Sequence, residues 1–270
     1  MSLRINTNIE AMDTHRQLVG TQEKLQKSME RLSSGYRINT AADDAAGLAI
    51  SEKLRAQISG LDQANRNTAD AISLVQTAEG QLNEVHSMLQ RVRELAVEYR
   101  NGTLSTADQT AIQSEINQLA CEIERIGTTA AFNGIPLLNG QVTVTFQVGA
   151  NDGETIAVTT ATLYGSAIPT SAFALSPNNT ADISEIDAAI DGVSELRANY
   201  GAVQNRLEHV ANNLGIYQEN LTASESQIRD VDMASEMVQF TKLQILQQSG
   251  TAMVAQANQL PQSVLQLLRG

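Results

Sequence analysis

Between residues 196 and 231 apolar side chains recur at alternating steps of four and three. They are Leu196, Tyr200, Val203, Leu207, Val210, Leu214, Tyr217, Leu221, Ile228 and Val231, with only Ser224 out of type. That spacing holds one stripe of an α-helix over about five heptads and predicts a coiled-coil seam. As one helix the stretch would run roughly 50 Å at about 1.5 Å per residue. A single seam cannot bury itself, so partner helices of matching length are required.

The N-terminal third supplies candidates. Residues 1–32 read as a helix with a seam through Ala11, His15, Leu18, Gln22, Leu25, Met29 and Leu32, and a second line through Met12, Val19 and Gln26. His15 is expected to be a half-buried packing residue, because no second His or Cys stands three or four positions away to share a metal. Ser33-Ser34-Gly35 breaks the pattern, Gly35 suiting a left-handed helix stop. Residues 33–44 therefore read as a connector, with Asp43-Asp44 as caps of the helix that resumes at Ala45. From Leu54 a second long helix carries a seam of Leu54, Ile58, Leu61, Asn65, Thr68, Ile72, Val75, Glu79, Leu82, His86, Leu89, Arg93 and Ala96. Beside it Ala71, Ala78, Val85, Val92 and Tyr99 repeat at sevens, widening the stripe enough for more than one partner. After Asn101-Gly102, Ser105 and Asp108 form a capping box. The short helix behind it, with Ile112, Ile116, Leu119, Ile123 and Ile126 on one face, is expected to end at Gly127.

Residues 131–165 change period. The run 142–148 and the run 155–162 alternate β-branched and polar residues around a Gly149–Gly153 turn, which predicts a β-hairpin lying against the helices. Residues 166–180 hold Pro169 and Pro177 and read as a loop, and helix resumes near Asp182. The last 34 residues differ from everything before them: two charges, Lys242 and Arg269, beside eight Gln and sixteen apolar residues. Met237, Phe240, Leu243 and Leu246 mark one line there, and Val238, Ile245 and Ala252 another. A nearly uncharged helix apolar on two sides is a poor surface for water. Burial by other chains is the simplest resolution.

Composition narrows the function classes. The net charge of −12 opposes binding to nucleic acid or to an anionic membrane. Residues 101–195 carry eleven acids against Arg125 alone, so the middle of the chain is expected to face water. One cysteine, Cys121, excludes an internal disulfide; it lies off the apolar face of its helix and reads as a passive thiol. Polar residues interrupt the first ten positions, so no Sec-type signal is visible, and no window is apolar enough to span a membrane. The three histidines are far apart, and no G-x-S-x-G, Walker A, H-E-x-x-H or C-x-x-C pattern occurs. No catalytic residue, metal site or cofactor is expected. A polymerising structural subunit and a coiled-coil adaptor or export chaperone both stay open.

The termini resemble bacterial flagellin. The run Arg31-Leu32-Ser33-Ser34-Gly35-Tyr36-Arg37-Ile38-Asn39, then Asp43-Asp44-Ala45-Ala46-Gly47-Leu48-Ala49-Ile50, is similar to that family's N-terminal signature. Residues 256–268 look like its C-terminus, and Phe146-Gln147-Val148-Gly149-Ala150-Asn151-Asp152-Gly153 is a further shared run. The resemblance implies a self-polymerising filament subunit, outside the cell in the bacterial flagellum, exported unfolded by the flagellar type III apparatus. It implies a chaperone for the C-terminal helix, cap and hook-junction partners, and in some members recognition by Toll-like receptor 5. Matching the receptor motif are Gln90, Arg91 and Leu95, with Glu115 on the next helix. The polymerisation core is expected at Leu3, Ile5, Ile9, Leu18, Leu25, Leu32, Val238, Phe240, Leu243, Ile245, Leu246, Leu260, Leu265 and Leu268. The hook–filament junction protein shares parts of these termini and is the alternative.

The expected fold is mainly α, a long rod-like coiled-coil bundle with a small β-hairpin region. Its segments are 1–44 (N-terminal helix and connector), 45–130 (rod helices), 131–165 (hairpin region), 166–181 (a short loop where longer members of the resembled family carry outer domains), 182–232 (C-terminal rod helix) and 233–270 (C-terminal core helix). The seam at 196–231 is expected to close the C-terminal half on the N-terminal half of the same chain.

Overall fold

The computed structural model describes residues 8–164, 167–168, 173 and 182–269, with side chains up to residue 259. Among these, five helices carry most of the chain: α1 (Ile9–Ser34), α2 (Ala45–Tyr99), α3 (Thr106–Thr129), α4 (Asp182–Arg229) and α5 (Met233–Arg269). Four short strands lie between α3 and α4: β1 (Ala131–Phe132), β2 (Ile135–Pro136), β3 (Thr143–Gln147) and β4 (Thr155–Thr159). They pair as two antiparallel hairpins. The fold is mainly α with a small β region, as the sequence predicts. It divides into two compact units, one of residues 1–56 and 221–270 and the other of residues 57–220. The loop expected at 166–180 lies almost wholly outside the described residues.

In the unit of residues 57–220 the core follows a heptad on α2. Leu61, Thr68, Val75, Leu82, Leu89 and Ala96 alternate with Ala64, Ala71, Ala78, Val85, Val92 and Tyr99, and all are buried. The four-residue partners expected on the first line fare differently: Asn65 and Arg93 are exposed, and Glu79 and His86 only half-buried. The neighbouring line of Ala and Val wins because small apolar side chains let helices approach closely while polar ones would need buried partners. On α4 the members Tyr200, Leu207 and Leu214 are buried, whereas Tyr217 is exposed. Ser105 and Asp108 make the capping box that opens α3. That helix passes through Gly127 to Thr129, a correction to the expected stop. A Cβ at Gly127 would lie 3.3 Å from Leu163, so this glycine serves close packing rather than termination.

The β3–β4 pairing sets Val144 opposite Val158 and Phe146 opposite Ile156, with Ile156 and Val158 buried. The Glu154 carboxylate locks the intervening turn by accepting the backbone N–H (3.0 Å) and side-chain amide (3.1 Å) of Asn151. The Tyr200 hydroxyl accepts the Ala161 N–H at 3.2 Å, tying the chain after β4 to α4. The β1–β2 hairpin was not expected. Its turn is Asn133-Gly134, both with positive φ (48° and 81°), a strong hairpin signal that a two-residue strand hides.

In the unit of residues 1–56 and 221–270, α1 and α5 pack together. Asn8 caps α1, its Oδ1 accepting the Ala11 N–H at 3.1 Å. Gly35, with φ of 76°, closes the helix through its N–H to the Arg31 carbonyl. Asp44 opens α2 by accepting the N–H groups of Ala46 and Gly47. Asp43 folds the connector back on Thr40. The 196–231 seam does not remain one helix. α4 ends at Arg229, and Asp232 starts α5 by accepting the N–H groups of Ala234 and Ser235. A short polar side chain that satisfies the backbone locally competes with helix continuation. The break is paired with the one at Gly35: Arg37 N–H donates to Arg229 O (2.7 Å) and Val231 N–H to Gly35 O (3.0 Å). The Arg229 guanidinium sits 4.5 Å above the Tyr36 ring and 3.2 Å from Glu52.

Candidate functional site

Two surfaces carry the residues singled out in the sequence. The first is the α1–α5 pair. The inward line of α1 consists of Ala11, Thr14, Leu18, Thr21, Leu25, Ser28 and Leu32. It replaces the expected line at three positions, since His15, Gln22 and Met29 are exposed. The inward line of α5 is Glu236, Phe240, Leu243, Gln247, Gly250, Val254 and Ala257. Small residues make up most of the α1 line, whereas the α5 line sets Gly250 and Ala257 among larger side chains. At Gly250 an added Cβ would lie 3.1 Å from Leu18 Cδ1, so α1 and α5 approach closely there. Glu236 faces Arg31 at 3.9 Å.

One contact at the end of this pair explains an otherwise costly residue. Pro261 lies inside α5 and has no N–H, which frees the carbonyl of Ala257 four residues earlier. The Asn8 side-chain amide donates to that carbonyl at 2.7 Å. Asn8 thus caps one helix with its oxygen and repairs the other with its nitrogen.

The outer side is where the large apolar residues stand. Val238 is 71 % exposed and Ile245 58 %, and Ile9, Leu246, Met12, Val19, Met237 and Met253 are exposed too. The expected polymerisation residues therefore fall into three groups. Ile9, Val238, Ile245 and Leu246 face outward. Leu18, Leu25, Leu32, Phe240 and Leu243 turn toward the intramolecular pair. Leu3 and Ile5 lie outside the described residues, and for Leu260, Leu265 and Leu268 the side chains do. Met253 joins the outer set without having been singled out, although its seven-residue offset from Leu246 was a readable signal.

The second surface is a polar cluster on α2 and α3. Arg91 donates to Glu115 from Nε (3.1 Å) and Nη2 (3.0 Å), and to Glu94 from Nη1 (3.2 Å). Glu115 first, then Glu94, hold the Arg91 guanidinium above its ordinary pKa. Gln90 is exposed and hydrogen-bonds His86 at 2.9 Å. Leu95 departs from expectation: it is 2 % exposed and belongs to the core, so it offers no surface to a receptor. Arg93, expected on the seam, is at the surface and pairs with Asp187 at 2.5 Å. Cys121 is exposed in a shallow depression with Asn117, Gln118 and Arg125. Arg125 is itself engaged by Glu122. Among the described residues no group of three His, Cys, Asp or Glu could hold a metal ion, and no helix is long and apolar enough to cross a membrane.

Comparison with known proteins decides the family. The bacterial flagellin N-terminal helical region matches residues 5–143, and the bacterial flagellin C-terminal helical region matches residues 183–268. The chain is 56 % identical over 270 residues to a flagellin of Halalkalibacterium halodurans, covering 98 % of this chain and 99 % of that one. The chain belongs to the bacterial flagellin family. It is 49 % identical over 304 residues to a flagellin of Bacillus subtilis, covering 99 % of this chain and all of that one. It is 46 % identical over 284 residues to the flagellar filament 33 kDa core protein of Treponema phagedenis, covering 98 % and 99 %. Flagellins are structural proteins of the flagellar filament. That class agrees with a molecule whose singled-out residues form packing faces and a salt-bridge cluster. The Gly35 stop, the Asp44 cap and the Gly149–Gly153 turn, which carried the resemblance, each have a defined structural task here. Asp43, expected as a second cap of α2, instead closes the connector on Thr40.

Proposed function

We propose that this chain polymerises into the flagellar filament through the outward apolar faces of α1 and α5. The observation that carries the reading is the outer side of that pair. Its inner line mixes small and polar residues with Leu18, Leu25, Leu32, Phe240 and Leu243, while Ile9, Val238, Ile245 and Leu246 stand in water. Exposed apolar surface of this extent is relieved when neighbouring copies cover it. A helical polymer brings many copies together, so each subunit is enclosed from several directions. Electron microscopy and sedimentation of the purified protein under polymerising conditions test this. Unbranched filaments with a concentration threshold are expected; a small oligomer of constant size at every concentration would sink the proposal.

The same surface supports export unfolded through the type III apparatus with a cytoplasmic chaperone on α5, because exposed Val238 and Ile245 need cover before assembly. Cap and hook-junction proteins, and a place outside the cell, complete this reading. For Toll-like receptor 5, Gln90, Arg91 and Glu115 are exposed together and form the proposed contact, without Leu95. Loss of receptor signalling by monomeric Arg91→Ala is the expected result, and unchanged signalling would defeat it.

A further inference from the structure

The outer set holds an unusual share of thioethers. Of seven methionines in the chain, Met12, Met29, Met233, Met237 and Met253 are exposed on α1 and α5. Met88 is half-buried against the core of the other unit. Thioether oxidation follows access, and the product is polar and chiral where the parent was flexible and apolar. We propose that these five methionines are oxidation sites that set the assembly competence of the subunit, an inference that rests on the assembly reading above. The chemistry needs a peroxide as co-reactant. The sulfur lone pair attacks the terminal oxygen of hydrogen peroxide, the O–O bond breaks, an S–O bond forms, and the remaining oxygen leaves as water. Sulfur loses two electrons and peroxide gains them.

The placement decides why this would matter. On α1 Arg16 stands four residues after Met12 but is engaged by Asp13, and on α5 cations are scarce. Lys242 is the lone Lys or Arg between Met233 and residue 259. Neighbours such as Val238, Ile245 and Leu246 are hydrocarbon. Covering a sulfoxide against such residues strips its water without replacing the hydrogen bond. Free subunit exposes the sulfurs, whereas assembled subunit encloses them, so oxidation acts before assembly and is slowed after it. Reduction back to the thioether restores the apolar face.

The test uses full-length protein carrying Cys121→Ser, to remove the thiol. Monomer is treated with hydrogen peroxide, the sulfoxides are mapped by mass spectrometry, and the threshold concentration for polymerisation is measured by sedimentation. The five exposed methionines are expected to oxidise roughly ten-fold faster than Met88, and the threshold to rise about ten-fold or more. Methionine sulfoxide reductases of both epimer specificities should return it to its untreated value. A protein with the five methionines changed to Leu is compared with its own untreated threshold, and the ratio should stay near one. An unmoved threshold in fully oxidised wild type, or no recovery after reduction, overturns this proposal alone. A protein that never polymerises untreated overturns the assembly reading as well.

Discussion

The two units of this chain distribute their apolar residues in different ways. In residues 57–220 the large aliphatics are inside: Leu61, Leu74, Leu82, Leu89, Ile116 and Ile123 are almost inaccessible. Between α1 and α5 the inside mixes Ala, Thr, Ser, Gln and Gly with Leu18, Leu25, Leu32, Phe240, Leu243 and Val254. Many further bulky side chains, Val238, Ile245 and Leu246 among them, are out. Burial of apolar area contributes roughly 25 cal/mol per Å² wherever it happens. The first unit collects that contribution within one chain. The second leaves Val238, Ile245, Leu246 and several methionines in water, where the proposed assembly would cover them.

The largest expected effect comes from making the outer side polar. Val238→Asp together with Ile245→Asp should abolish polymerisation at concentrations where wild type assembles. The denaturation midpoint of the monomer should hardly move, since both side chains already lie in water. Sedimentation and urea denaturation on the same preparation read the two quantities. A large loss of monomer stability with assembly intact would reverse the assignment of inside and outside.

Truncations in the cores probe the converse. Leu82→Ala removes a fully buried side chain and should cost about 2–5 kcal/mol by urea denaturation. Leu25→Ala, half-buried between α1 and α5, should cost at most about 1–2 kcal/mol, in proportion to the area it hides. Equal losses would show that α1 and α5 are as tightly built as the other unit.

Glycines make the same comparison with one methyl group. At Gly192 in α4 a Cβ would meet the Ala167 carbonyl oxygen at 2.6 Å, a backbone atom that cannot step aside. Gly192→Ala should destabilise by about 1–3 kcal/mol through overpacking. At Gly250 the obstacle is the end of the Leu18 side chain at 3.1 Å, which can yield. Alanine also gains about 1 kcal/mol of helix propensity, so Gly250→Ala should end near neutral. Differential unfolding of the two variants checks the sign.

The difference between the units also explains what was readable beforehand. The line through Ala71, Ala78, Val85, Val92 and Tyr99 could be found because one chain buries it and hydrophobic period records burial. The capping box at Ser105 and Asp108 and the stop at Gly35 were readable because their geometry is local. The inner line of α1 was readable only at Ala11, Leu18, Leu25 and Leu32; Thr14, Thr21 and Ser28 look like surface residues and escaped it. Leu95 shows the same ambiguity reversed, as motif similarity marks a position without saying which way its side chain points. The pairing of Asn8 with the Ala257 carbonyl was out of reach, because its partners are 249 residues apart.

That pairing gives a smaller effect. Asn8→Asp keeps an oxygen to cap α1 but has no N–H for the carbonyl freed by Pro261. It should cost about 1 kcal/mol, seen as faster amide exchange at both the start of α1 and the 257–261 turn. Exchange altered in α1 alone would separate the two roles.

The smallest effect concerns acid. Hydrogen bonds from the Thr40 backbone and hydroxyl, with help from Lys27, lower the Asp43 carboxyl from 3.8 to about 2. A carboxyl whose pKa is lower folded than unfolded stabilises the fold while ionised. That contribution is complete above the ordinary value near 3.8 and is lost as pH falls toward about 2. Asp43→Asn removes the charge without removing the shape. The difference in amide protection of residues 40–47 between wild type and variant should therefore be constant above pH ~5 and shrink below it. In the other unit Asp108 and Glu154 are also lowered, by Ser105 and by Asn151, and lose their contributions in the same direction. Protection there should fall with acid equally in wild type and variant. A wild-type-minus-variant difference that grew on acidification would mean that Asp43 is held as the neutral acid, against the donors that surround it.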